Sequence, residues 1–238
     1  MPSQTDAVPL RRVQEYLKQI VYGGNDGIVT TFAIVAGFAG ASAEGVAQIG
    51  GLAVLIFGLA NLFADAVSMG LGEFLSARSQ RELYRGQRAD LLHRMSDHPA
   101  AERAHLGRLL HARGMSQSDA DAASALIARQ PTLMAELIMK YDSGLNDPDG
   151  ETPALNGLVT FLAFVAFGVI PIVPYFLMEA TDHTFRLSLL ATLTALAALG
   201  ALRGNATGEP RLRSIGETVT VGSICALVAY LVGMVVGG

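Results

Sequence analysis

Long blocks of apolar residues are the feature that most constrains how this chain can fold. Hydrophobic residues make up 51% of the 238-residue sequence and charged residues only 16%, and the apolar residues are concentrated in a few stretches. A helix needs about 20 apolar residues to cross a bilayer. Five stretches meet or approach that length, at about 27–43, 46–72, 155–178, 185–202 and 214–236. The sequence therefore predicts an all-α polytopic membrane protein with five transmembrane helices.

Polar segments between these blocks divide the chain into four parts. Residues 1–26 predict an N-terminal amphipathic helix on the membrane surface, or packed on the soluble part, followed by the approach to the first span. Residues 27–77 contain spans one and two, and residues 154–238 contain spans three to five. Residues 78–153 predict a small helical insert in the cytosol.

Glycine, proline and capping residues predict where the helices begin and end. Gly23 to Gly27 is expected to break the helical pattern, with Asp26 as the cap of span one, as a ligand, or as both. We expect a turn at Ala43–Gly45 and a polar loop over 203–211. The expected helix starts and kinks are at Pro99, Ser116, Pro131, Pro171 and Pro174.

The distribution of Lys and Arg predicts the topology, because cytoplasmic segments of membrane proteins carry an excess of these residues. Of the 17 basic residues, three precede the first span, ten lie in the insert and three lie between spans four and five. Only Arg186 falls on the other side. This places the N-terminus and the insert in the cytoplasm and the C-terminus outside. No secretory or transit pattern precedes the first span, which favours a multi-pass protein of a prokaryotic cell (inner) membrane.

Four polar or soft side chains recur at every fourth position of the second span. Asn61, Asp65, Met69 and Glu73 lie on one face of a helix at this spacing. Oxygen ligands suit hard divalent cations, and a thioether favours transition metals. A carboxylate at bilayer depth is a functional-site hypothesis, since its burial is costly. For Met69 packing is the alternative, and for Glu73 a solvated interfacial position. This stripe predicts part of a metal path.

Other functional classes find little support. No segment has the basic footprint of a nucleic-acid-binding protein, and the single cysteine, Cys225, excludes an intrachain disulfide and a multi-Cys zinc site. An intramembrane aspartyl protease would carry a Gly-x-Gly-Asp motif, where this chain has Gly-Gly-Asn-Asp. We therefore expect a protein that is not an enzyme and that has no tightly bound cofactor.

Two sequence stretches resemble the vacuolar iron transporter family. Residues 25–37, NDGIVTTFAIVAG, are similar to its first-span signature, and residues 58–76, from Gly58 through SMGLGEFLS, to its second-span signature. The resemblance implies a homodimer that moves Fe(II), and often Mn(II) or other divalent ions, out of the cytosol in exchange for protons. It also implies that Asp26 and Met69 face each other on the metal path. Asn61 stands where plant-type members have a glutamate, so we infer that the charge has moved to Asp65.

The same resemblance implies a metal-binding site in the insert. Matched by position, Glu102, His105, Met139 and Asp142 keep ligand-type chemistry, whereas Leu91, Arg94 and Ile138 do not. The predicted partners are thus divalent transition-metal ions, protons, the bilayer and a second copy of the chain. A metal sensor anchored by its spans and a passive cation channel remain alternatives.

Overall fold

The computed structural model describes residues 16–43, 51–148, 150 and 152–237. Within these residues all regular structure is helical. Nine α-helices are present: α1 (Leu17–Ala43), α2 (Gly51–Asp97), α3 (Pro99–Ala112), α4 (Gln117–Ile127), α5 (Pro131–Tyr141), α6 (Pro153–Gly168), α7 (Val173–Leu177), α8 (Asp182–Thr207) and α9 (Arg211–Gly237), with a 3₁₀ turn at Ile170–Ile172 between α6 and α7. The chain divides into two compact units, a first unit of Met1–Phe74 with Pro153–Gly238 and a second unit of Leu75–Thr152.

Four helices are long and apolar enough to cross a membrane, judged by length and composition: α2, α6 with its continuation to Leu177, α8 and α9. The chain is thus a multi-pass membrane protein. In the described part of the chain, α1 is not among these four helices. It is nevertheless 27 residues long and packs against α6, α8 and α9.

Helix α1 is continuous from Leu17 to Ala43, so the expected break at Gly23 to Gly27 is wrong. These glycines lie where α1 passes close to its neighbours. A Cβ built on Gly23 would lie 2.7 Å from the backbone oxygen of Thr160, and one on Gly27 would collide with the backbone oxygen of Phe164. Small residues allow membrane helices to approach this closely. Asp26 therefore lies within the helix and does not cap it.

The first unit has an apolar core to which all its long helices contribute. Its buried residues include Phe32 and Val35 of α1, Leu62 of α2 and Phe164 of α6, and Phe32 stacks on Phe185 of α8 with ring centroids 6.2 Å apart. The kink predicted from Pro171 and Pro174 is present, because the 3₁₀ turn replaces α-helix there. This core fixes the positions of α1 and α2, which carry the candidate site.

The second unit is a small helical module with a core of its own. Its buried residues are Tyr84, Leu91, Leu106, Met134, Ala135, Ile138 and Met139. The starts predicted at Pro99 and Pro131 are confirmed, and Ser116 caps α4 by accepting a hydrogen bond from the Asp119 N–H. Leu91 and Ile138, which lack ligand chemistry, are buried packing residues here.

The loop predicted over 203–211 is shorter, because α8 continues to Thr207 and ends at Gly208, whose φ of 76° suits a glycine C-cap. The N-terminal part of the predicted amphipathic helix, residues 9–15, and most of the turn at Ala43–Gly45 lie outside the described residues.

Candidate metal-binding site

Two aspartates from different helices form the centre of the site. Asp26 of α1 and Asp65 of α2 are close enough for their charges to repel each other. Asn61, one turn before Asp65, donates a hydrogen bond from Nδ2 to Asp65 Oδ2 at 2.7 Å. The Asp26 backbone oxygen accepts a hydrogen bond from Thr30 Oγ1, also at 2.7 Å. The structure therefore places Asp26 of α1 near the Asn61–Asp65 part of the predicted stripe.

The helical repeat of α2 explains why the predicted stripe is half-buried. Leu62, Ala66 and Gly70 form the buried face of the helix, and the stripe residues lie directly beside them with intermediate exposure. Met69, one turn beyond Asp65, packs against the core of the first unit. The stripe is thus held at the edge of the packed core, where side chains can contact both neighbours and a bound ion.

Glu73 lies at the other end of the stripe and belongs to a different set of contacts. It is eight residues from Asp65, or about 12 Å along the helix. Its Oε1 accepts a hydrogen bond from Gln19 Nε2 at 3.0 Å and lies 3.5 Å from Lys18 Nζ. The four stripe residues therefore do not converge on one point. Sequence reasoning missed Gln19, although its spacing of seven residues from Asp26 places both on nearly the same face of α1.

The donor set at the centre combines hard and soft ligand types. Among the described residues, no three side chains of the His, Cys, Asp and Glu types lie close enough together to hold a metal ion. The two aspartates would therefore need the Asn61 amide, the Met69 thioether, water or ligands from a second chain to complete a coordination shell. Carboxylate oxygens with one thioether would favour a divalent transition metal over Mg²⁺ or Ca²⁺.

In the second unit, the predicted insert residues lie near one another around an imidazole. His105 Nδ1 lies 3.8 Å from Glu102 Oε2, and His105 Nε2 lies 3.6 Å from Asp142 Oδ2. The imidazole thus separates the two carboxylates. Arg94 Nε donates to Glu102 Oε1 at 3.2 Å, and Met139 is 2% exposed in the core. This arrangement is a network of polar contacts in which Arg94 occupies Glu102 Oε1, while Glu102 Oε2 is buried without a hydrogen-bond partner among the described residues.

Comparisons with known proteins relate the chain to one family of membrane transporters. The model of the VIT family matches residues 17–234. The chain is 29% identical over 222 residues to vacuolar iron transporter 1 of Arabidopsis thaliana, covering 93% of this chain and 86% of that protein. It is 30% identical over 228 residues to the vacuolar iron transporter of Toxoplasma gondii, covering 92% of this chain and 74% of that protein. The match to the vacuolar iron transporter of Plasmodium falciparum, at 29% identity, covers 93% and 82%.

Proposed function

This chain belongs to the VIT family, and we propose that it exports Fe(II) or Mn(II) from the cytosol in exchange for protons. The observation that carries the proposal is the pairing of Asp26 with Asp65 between two helices of a membrane bundle. Similar proteins named as iron transporters support iron as one of the transported ions. The ion is a substrate here, and we propose no resident cofactor.

The paired aspartates supply the chemistry that an exchanger needs. Two carboxylates at close range repel each other, and either a divalent cation or protons relieve that repulsion. Metal and protons therefore compete for the same groups. Asn61 orients Asp65 by its hydrogen bond, and the Met69 thioether adds selectivity for a transition metal. Protonation of the aspartates from the outer side would release the metal there.

We propose that α1 also crosses the membrane, in addition to the four helices named above, and is the first of five spans in chain order. Its 27 residues correspond to about 40 Å of helix, and its contacts with α6, α8 and α9 are those of a bundle member. With five spans, the basic residues place the N-terminus and the second unit in the cytoplasm and the C-terminus outside. The membrane would be a cell membrane or an intracellular one.

We also propose a homodimer. Large apolar side chains are exposed along the stripe-bearing helix, among them Phe57, Phe63 and Val67. A second copy packed there would bring two sets of stripe residues together and would supply the missing ligands. A divalent site shared between protomers needs fewer donors from each.

Transport into sealed proteoliposomes tests the proposal directly. Fe(II) or Mn(II) uptake is measured with and without a pH gradient, for the unaltered chain and for Asp26→Asn and Asp65→Asn. Glu179→Gln is the matched control, since Glu179 is an exposed carboxylate of the same unit. We expect uptake that depends on the gradient and falls at least about tenfold in both Asp variants, the effect of losing roughly 1.4 kcal/mol of binding, with no change in the control.

Other outcomes would point to other functions. Metal flux that is indifferent to the pH gradient would indicate a passive channel. A sensor would be favoured if no flux is seen while the protein still binds metal, and if that binding depends on Glu102, His105 and Asp142. Full activity of Asp65→Asn would contradict the proposed role of the aspartate pair.

A further inference from the structure

A buried glutamine of α1, two turns before Asp26, has an oxygen without a hydrogen-bond partner among the described residues. Gln19 of α1 is 7% exposed, and its Oε1 atom is buried with no hydrogen-bond partner among the described residues. Burying an amide oxygen without a hydrogen bond costs free energy, on the order of 1–3 kcal/mol in proteins. Such a group calls for a ligand or for a second arrangement of the side chain. Its amide nitrogen already donates to Glu73.

Gln19 and Glu73 continue the pairing of α1 with α2. The two helices run in opposite directions, because residue 26 lies within electrostatic range of residue 65 while residue 19 contacts residue 73. The Gln19–Glu73 pair is therefore a second polar contact between the same two helices, about 10 Å from the aspartate pair along α1. In this second pair the α1 group that contacts the carboxylate is the amide N–H of Gln19.

The second pair already holds a positive charge. The Lys18 ammonium lies 3.5 Å from Glu73 Oε1, and the Lys18 side chain is 74% exposed whereas that of Glu73 is 16% exposed. The ammonium is thus a cation on a solvated side chain, next to a carboxylate that is largely covered. Because one partner is solvated, water and salt weaken this ion pair. A divalent cation from solvent can displace the ammonium, which returns to water; only the hydrogen bond from Gln19 to Glu73 must then rearrange.

From these contacts we infer that Gln19 and Glu73 form a second divalent-cation site, and that the Lys18 ammonium competes with the ion for it. A cation on Glu73 repels the amide N–H of Gln19 and favours rotation of the amide, which turns Oε1 toward the ion and satisfies the unpartnered oxygen. A carboxylate and an amide oxygen are hard ligands, as suits a partly hydrated divalent ion. The site would pass ions to or from the aspartate pair, and in this respect the inference rests on the proposed function.

The decisive variant is Lys18→Met, which removes the competing charge at an exposed position and leaves the buried residues intact. Mn(II) binding is measured on the full-length protein in lipid nanodiscs, from the electron paramagnetic resonance signal of free Mn(II), in an Asp65→Asn background. Arg186→Met, an exposed cation of the same unit, controls for net charge. The same substitutions, made in the chain that retains Asp65, are compared for half-saturating Mn(II) of transport in proteoliposomes.

We expect Lys18→Met to lower the half-saturating Mn(II) concentration by about two- to fivefold, as removal of an exposed ion pair allows. Glu73→Gln and Gln19→Leu should raise it, and Lys18→Met should bring no gain when Glu73→Gln is already present. A gain that persists with Glu73→Gln, or that Arg186→Met reproduces, would overturn the inference. So would unchanged or weaker binding in Lys18→Met, the result of a purely structural ion pair. If the unaltered chain binds Mn(II) but does not transport it, the proposed function fails while the binding data still decide this site.

Discussion

Replacing Gly23 by alanine should damage both stability and transport, since the added methyl group has no room. The new Cβ would lie 2.7 Å from the Thr160 backbone oxygen, whereas ordinary contact begins at 3.4 Å. Because the obstacle is backbone, α1 and α6 must separate locally by several tenths of an ångström. Overpacking of this size costs about 1–3 kcal/mol. The displacement of α1 also exceeds the roughly 0.2 Å tolerance of metal–ligand distances. Asp26 lies less than one turn from Gly23, so we expect the displacement to reach it.

Gly216→Ala is the matched control, because a Cβ at Gly216 of α9 meets nothing within 4 Å. Alanine is favoured over glycine in a helix by up to about 1 kcal/mol, so this variant should be unchanged or slightly more stable. Thermal unfolding is followed by circular dichroism at 222 nm, since the chain has no tryptophan, and Mn(II) flux is measured alongside. Equal stability and flux in Gly23→Ala and Gly216→Ala would refute the argument from close packing.

Two further predictions concern hydrogen bonds. Asn61→Ala removes the side chain that donates a 2.7 Å hydrogen bond to Asp65. We expect Mn(II) flux to fall roughly tenfold, the effect of a lost hydrogen bond to a charged group. Flux equal to that of the unaltered chain would show that Asn61 does not orient Asp65. Ser116→Ala removes the cap of α4 and should lower the stability of the second unit by about 0.5–2 kcal/mol, measured by hydrogen exchange of its amides, whereas Ser116→Asp should retain it.

Features set by local chemistry could be predicted well from the sequence. Helix α5 begins at Pro131 and ends at Tyr141, as the N-terminal proline and the following polar turn indicate. The cap at Ser116 and the proline kink in the third predicted span are local in the same sense. The glycines of α1 are different. Their effect on a helix depends on what lies against it, and here the backbone of α6 makes glycine necessary where an isolated helix would be weakened by it.

In the candidate site, too, the arrangement along one helix could be predicted from the sequence, whereas the contacts between helices could not. The spacing of Asn61, Asp65 and Met69 places them on one face of a single helix, whatever the rest of the chain does. The approach of Asp26 to Asp65 depends on how α1 and α2 pair, which spacing within one helix does not determine. Gln19 escaped notice because the break expected at Gly23 to Gly27 would separate it from Asp26. Since the helix is continuous, Gln19 and Asp26 lie two turns apart on nearly the same face.

The end of α6 shows how packing sets the distance between the paired carboxylates. A Cβ on Gly168 would lie 2.8 Å from the Gly27 backbone oxygen and 2.5 Å from Leu62 Cδ1, so Gly168 contacts α1 beside Asp26 and α2 beside Asn61. Both helices are therefore positioned against the same glycine. The 3₁₀ turn that starts at Ile170 then directs the chain away. The distance between the two carboxylates depends on the separation of α1 and α2 at the level of the site. Gly168 contacts both helices at that level, and it therefore helps to fix the separation.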